Sequence, residues 1–267
     1  MSGEDIYEGL DDEPPRLGYL PDPPDERDLH FDKLQIADGW LAAPDEASVA
    51  HLLHEPFNQG NIGSCVAQSV AQALFVSHSH QGVTPKVASR LAIYWLARAT
   101  HRMQHFDSGT FIRAAFQVLN KFGFAAEESW TYSTKRFADK PPFKVFALAY
   151  DQSSGRRPAI YWRIWGDGQS RVDQVKSAIA NGFAVVFGTD VGRAFLDHRG
   201  TGIINPLAGE RVGGHAMVFC GYEAGSCRLI NSWGKSWGDR GYADVPWDFV
   251  ADGARDVWVV EHAPPYA

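Results

Sequence analysis

Two hydrophobic periods divide this chain, and together they limit it to folds that join a helical part to a stranded part. Val66, Val70 and Leu74 return every fourth position, which lays one apolar stripe along a helix. Ala159–Ile164 alternates instead, as a strand with one buried face does. The first helix is predicted to begin near Ser64. Thr84-Pro85, a cap followed by a first-turn proline, opens a second helix to about Met103, and a third runs from about Thr110 to Lys121, where Gly123 stops it. The later part gives a helix over Val172–Asn181 and strands over Phe183–Phe187 and Val257–Glu261. Between them, His215–Tyr222 and Cys227–Asn231 form a hairpin. The predicted class is α+β, with a helical lobe over 51–150 and a β-rich lobe over 151–267, divided near Tyr150–Pro158.

Residues 1–50 are a different material. Glu13-Pro14-Pro15 and Pro21-Asp22-Pro23-Pro24-Asp25-Glu26 cannot form a core, so this stretch reads as an extended leader. Leu17, Tyr19, Leu20, Leu29 and Phe31 nonetheless give it anchors for docking on its own body or on a larger assembly, while 40–50 fits no single element. With 45% hydrophobic residues, a chain of 267 buries a substantial core. A net charge of −7 with both signs mixed argues against a nucleic-acid footprint, and no apolar run reaches the roughly 18 residues of a membrane span. The acidic start lacks the basic-then-apolar order of a secretory signal. A cytoplasmic location is therefore the default expectation; a virion-associated protein, or one released without a signal, is the alternative.

Three cysteines do not make a disulfide framework. Cys220 and Cys227 flank a predicted hairpin turn and read as buried thiols, with a cross-strand bridge as the alternative. Cys65 opens a helix. By itself it would be one more buried thiol, but Gln59 stands six positions before it (65 − 59 = 6), and Gly214-His215-Ala216 and Asn231-Ser232-Trp233-Gly234 follow. A helix N-terminus favours a thiolate, and a protonated His215 beside it would do the same and then hand its proton to a leaving amine. Asn231 can fix the imidazole tautomer. Gln59 and the Cys65 N–H can donate to an oxyanion, where one donor is typically worth about 3 kcal/mol. His101 and His105, read as i, i+4 on a helix, are a solvated face without a third ligand; no metal or cofactor is expected. His78, His80, Glu127-Glu128 and Asp107 read as surface or loop residues.

These residues resemble the papain family of cysteine peptidases. The likeness lies in Gln59 through Cys65, in Gly214-His215-Ala216, and above all in Asn231-Ser232-Trp233-Gly234-Lys235-Ser236-Trp237-Gly238. The separations 215 − 65 = 150 and 231 − 215 = 16 fit that layout. Asp107-Ser108-Gly109-Thr110 is similar to the family's substrate-binding glycine segment, and Trp130-Thr131-Tyr132 falls where a further family element lies. The resemblance implies a two-lobe fold with a barrel-like second lobe and a cleft between the lobes. It also implies Cys65 as nucleophile, His215 as acid/base, Asn231 as its orienter, and Gln59 in the oxyanion hole. Trp233 would shield the Asn–His bond, and Ser108, Gly109 and Gly214 would border the substrate. The implied partner is a peptide or protein substrate. Cell-wall crosslink hydrolysis, acyl transfer, or a silent papain-like component of a phage-type assembly remain alternatives. The sequence departs from the family at Ile62, at Val66 and at the bare pair Gly213-Gly214, so no P2 preference carries over.

Overall fold

The sheet lies between two cores, and strand alternation assigns each side chain to one of them. In the computed structural model, which describes residues 15–38, 42–153 and 159–261, the sheet contains β2 (Ala47–Ser48), β4 (Ile160–Ile164), β5 (Val185–Gly192), β6 (Arg211–Glu223), β7 (Ser226–Ile230), β8 (Tyr242–Val245) and β9 (Arg255–Glu261). Its order is β4-β9-β5-β6-β7-β8, with β2 pairing to β6. Ala216, Val218 and Cys220 of β6, with Trp258 and Val260 of β9, face the helical core. Met217 and Phe219, with Val257 and Val259, face the other core, where Phe187 stacks on Phe219 at 3.8 Å. The period of two is thus obeyed on both faces. Among the described residues the sheet stays open, where the expectation was a barrel-like lobe.

The helical part is α2 (Cys65–His80), α3 (Arg90–Ala99), α4 (Ile112–Phe122) and α5 (Phe143–Ser153), and α6 (Gly168–Ala180) packs on the sheet's far side. The predicted stripe Val66, Val70, Leu74 is buried, but so are Ala67, Ala71, Ala73 and Val76. Small residues let α2 sit in the middle, between the sheet and α3 and α4, so it is buried nearly all round, polar Gln68, Ser69 and Gln72 included. The second helix starts later than Thr84-Pro85 suggests. Ser89 is its cap, accepting from the Ala92 N–H at 3.3 Å. His101 and His105 consequently lie beyond the helix, and the i, i+4 face does not form; His101 packs on Phe111 instead. Gly123 ends α4 at φ +71°, as expected.

The hairpin turn is tighter than predicted, with strands running to Glu223 and from Ser226. Register places Tyr222, not Cys220, opposite Cys227, and all three cysteines are free and buried. β8 and α5 carry no signal that the sequence reading used. The predicted lobe boundary falls partly on 154–158, outside the described residues, as do 1–14 and 39–41.

The described part of the leader is folded onto the body. β1 (Tyr19–Leu20) runs parallel to β3 (Thr110–Phe111), and Leu29 O accepts from the Arg163 N–H at 2.7 Å before α1 (Phe31–Asp38). Tyr19 and Phe31 are buried anchors, whereas Leu29 is exposed.

Candidate active site

Cys65 is the first residue of α2 and is fully buried. The loop before it is tied down from three directions. The Tyr132 hydroxyl donates to Gln59 O at 2.8 Å and lies 2.6 Å from Ser64 Oγ. Asp107 Oδ1 accepts the Gly63 N–H at 2.9 Å. The Gln59 N–H donates to Ser232 O at 2.9 Å, and Ser232 Oγ donates to Gln59 Oε1 at 2.7 Å. With its oxygen so engaged, the Gln59 amide must turn its N–H₂ toward the cleft.

His215 lies on β6 and Asn231 just past β7, and the pairing of those strands brings them together. Asn231 Oδ1 accepts the Ser232 N–H at 2.7 Å and stands 2.8 Å from His215 Nε2. An oxygen cannot donate, so Nε2 carries the proton and Nδ1 keeps a free lone pair; Nδ1 is buried without a hydrogen-bond partner among the described atoms. The indole of Trp233 stacks on the imidazole at 4.4 Å, and Trp237 meets Trp233 edge-on, so this side of the ring is dry. The Ala216 backbone N–H, next to His215, favours the Cys65 thiolate.

The family model for the papain family of cysteine proteases matches residues 44–249. The chain belongs to this family. It is 32% identical, over 92% of its own length and 86% of the other's, to an uncharacterized peptidase C1-like protein of Acanthamoeba polyphaga mimivirus. Its structure matches xylellain, a cysteine protease from Xylella fastidiosa, with a TM-score of 0.79 at 27% identity, covering 94% of this chain and 98% of that one. A digestive procathepsin L of Tenebrio molitor shares the fold at 14% identity, with a TM-score of 0.67 over 83% and 71% of the two chains. The papain-like fold, with mixed helix and sheet, is therefore that of a cysteine protease.

In this papain-family cleft the leader occupies the ground beside the thiol. Gln59 Nε2 donates to Arg16 O at 2.7 Å and to Ile62 O at 2.9 Å. Gly18 passes between the nucleophile loop and the glycine segment, giving its carbonyl to the Thr110 N–H at 2.8 Å, while its backbone N–H favours the Cys65 thiolate. A Cβ on Gly18 would stand 1.9 Å from Gly63 O, so only glycine fits. On the opposite wall the bare pair Gly213-Gly214 faces Leu17 and Tyr19, where added Cβ atoms would come within 2.8 Å and 2.3 Å. Gly109 also allows a close approach; its N–H is taken by the Tyr94 hydroxyl, and the donor to the leader is the Thr110 N–H. Ser108 Oγ donates to the Gly109 carbonyl.

This packing sets the electrostatics. Burial pushes the Cys65 thiol up to about 11, although the N–H groups of Ala216, Gly18, Val66 and Cys65 favour the thiolate. Burial likewise pulls His215 down to about 4, against the hydrogen bond to Asn231. At neutral pH the strapped site therefore holds a neutral thiol and a neutral imidazole. The helix start does not create the depressed thiol that the sequence suggests, because desolvation outweighs it.

Several residues matter that the sequence reading placed on the surface or in a loop, or, as with Arg98, did not single out. Asp107 lies beside the nucleophile loop, its Oδ1 accepting from Gly63 and from Tyr94 and its Oδ2 ion-paired with Arg16 Nε at 3.2 Å. Arg98, buried, donates to the carbonyls of Tyr94, Gln104, Phe106 and Phe137 and so fixes the loop that presents Asp107. Glu127 grips Arg90 and the Tyr132 N–H, which positions the Tyr132 ring over the nucleophile loop. His78 is buried against Phe124. An acid just before the glycine segment, or an arginine inside an apolar helix, is the sort of signal that could have found Asp107 and Arg98.

Proposed function

We propose that the protein hydrolyses peptide bonds through a thioester on Cys65. His215 Nδ1 takes the thiol proton as sulfur attacks the carbonyl carbon. The oxyanion forms against Gln59 Nε2 and the Cys65 N–H. The imidazolium gives the proton to the leaving amine, the C–N bond breaks, and a water activated by the same Nδ1 then hydrolyses the thioester. Asn231 holds Nε2 protonated throughout, and Trp233 keeps water from that bond. The observation that carries this reading is that Gln59 Nε2 already holds a peptide carbonyl, Arg16 O, beside the thiol. Cys65→Ala in the full chain should abolish both hydrolysis of peptides and labelling by a peptidyl epoxide. Hydrolysis that survives the change would overturn the assignment.

The same observation favours a second reading, that the chain is held latent by residues 16–22. Their backbone fills the place of a substrate, and the neutral thiol–imidazole pair under them is the unreactive form. On this reading the full chain labels slowly and a strap-releasing variant labels fast; equal rates would remove it.

A further inference from the structure

One phenol oxygen joins the two ends of the nucleophile loop. Gln59, whose Nε2 is the side-chain oxyanion donor, gives its backbone carbonyl to the Tyr132 hydroxyl at 2.8 Å. Ser64, the residue before the Cys65 N–H, holds its Oγ 2.6 Å from the same hydroxyl. Gln59, Ser64 and Cys65 are all fully buried, and burial also pushes the phenol well above its usual range, so Tyr132 keeps its proton. The Tyr132 oxygen therefore sets the span between Gln59 and Ser64, and the spacing of the two oxyanion donors depends on that span.

The direction of every proton in this link is determined. A guanidinium has donors only. Arg90 Nη1 donates to Gln68 Oε1 at 3.0 Å, so the Gln68 amide turns its Nε2 to Ser64 Oγ, 3.1 Å away. The Gln59 carbonyl can only accept, so the single phenol proton goes there, and Ser64 must donate to the phenol oxygen. The chain thus runs one way, from Arg90 at the start of α3 through Gln68 of α2, Ser64 and Tyr132 to Gln59. Hydrogen bonds aligned in this way strengthen one another. Arg90 is itself held: it is buried, with its guanidinium between the rings of Phe57 at 4.3 Å and Tyr132 at 4.6 Å. Glu127 Oε1 accepts from Arg90 Nη2 at 2.9 Å and from the Tyr132 N–H at 2.7 Å, which ties the source of the chain to the tyrosine.

Resting on the peptidase reading, we propose that Tyr132 is a positioning residue of catalysis. It holds Gln59 Nε2 and the Cys65 N–H at the spacing a tetrahedral oxyanion needs, and the chain from Arg90 holds Tyr132 in turn. The oxyanion exists only after sulfur has attacked, so loss of the bridge lowers kcat and leaves KM unchanged.

The test uses the full chain carrying Gly18→Ala, which disfavours the strap, with and without Tyr132→Phe. Phenylalanine keeps a ring over Arg90 and removes only the bridging oxygen. Losing an oxyanion donor outright costs roughly 100-fold to 1,000-fold in kcat, and displacing the pair should cost about tenfold or more at unchanged KM. Exchange of Cys65 with a dipyridyl disulfide develops no oxyanion, so its rate should stay within about twofold. In a Gln59→Ala background the same change should cost less than about threefold, because the donor it places is gone. Ser64→Ala, a second variant, breaks the link from its other side and should reproduce the kcat loss. A kcat within about twofold of the Gly18→Ala chain in both variants, a parallel fall in disulfide exchange, or the full loss persisting in Gln59→Ala overturns the proposal and leaves the peptidase reading in place. Absence of hydrolysis in the Gly18→Ala chain itself overturns that reading and this inference with it.

Discussion

Gly18→Ala should convert a slowly labelled protein into a rapidly labelled one. The added Cβ would stand 1.9 Å from Gly63 O, and its other near neighbours are also Gly63 backbone atoms that cannot swing aside. Reaching an ordinary contact of 3.4 Å requires the strap to lift by 3.4 − 1.9 = 1.5 Å. That displacement takes the Thr110–Gly18 bond at 2.8 Å and the Gln59–Arg16 bond at 2.7 Å out of hydrogen-bonding range. Two such bonds contribute about 1–3 kcal/mol, offset by about 0.5 kcal/mol because alanine reduces the freedom that a released glycine would enjoy. The seated strap is thus disfavoured by about 0.5–2.5 kcal/mol, a shift of roughly 2-fold to 70-fold in the open-to-seated ratio. While the open form is the minority, the second-order rate of Cys65 labelling by a peptidyl epoxide rises by that factor. Gly225→Ala, at a hairpin turn with open space around it, is the matched control and should leave the rate unchanged. An unchanged or lower labelling rate in Gly18→Ala would refute the reasoning, because it would mean that the leader does not limit access to the thiol.

Strap release should also depend on pH. Burial, then Asp256, pushes the Asp22 carboxyl up to about 7 when the strap is seated, against the pull of Arg113 and Arg163; Asp28 and Tyr19 share the cluster. A released Asp22 returns to an ordinary carboxylate value, so seating takes up a proton. This contribution is full below about pH 4 and is lost as pH rises through 7, so labelling should accelerate between pH 5 and 8 more steeply than in Asp22→Asn. Gln59→Ala in the Gly18→Ala background should lower kcat about 100-fold to 1,000-fold, as read by steady-state hydrolysis, with Cys65 still titratable; an unchanged kcat would place the oxyanion elsewhere. Arg98→Met should unfold early, since four carbonyls lose their donor. A loss of about 3 kcal/mol or more corresponds to a Tm lowered by about 6–12 °C in calorimetry.

What could be read from the sequence and what could not differ by sequence distance. Cys65 at a helix start, Gly123 as a stop and the alternation of Ala159–Ile164 are local, and each lies in the structure where the pattern puts it, to within a residue or two. His215 and Asn231 were legible because their spacing and flanking tryptophans form one short signature, and the β6–β7 pairing then sets them 2.8 Å apart. Local chemistry also misled. Thr84-Pro85 reads as the cap of the second helix, but the helix opens at Ser89, whose hydroxyl donates to the Trp130 carbonyl, a partner 41 positions away. His78 looked like surface until α2 proved to be enclosed on nearly every side.

The leader is where the distance is greatest. Its composition forbids a core of its own, and nothing within it says where Tyr19 or Asp22 would go. Their partner Asp256 lies 237 and 234 positions away, and Arg113 and Arg163 complete the cluster from α4 and β4. Such a cluster is costly to bury unless every member is matched, and its acids come from both the leader and the body. Removing the leader would therefore leave Arg113 without Asp28 and Asp256 without two of its three donors. A leader with these ties is not spare chain. It supplies charges that the body needs while seated, which makes a chain that opens its strap without losing it a better description than one that discards it. The contrast can be measured: with the strap lifted by Gly18→Ala the chain should keep a single cooperative unfolding transition, whereas Asp28→Ala, which strands Arg113, should lower Tm by several degrees without comparable gain in Cys65 labelling.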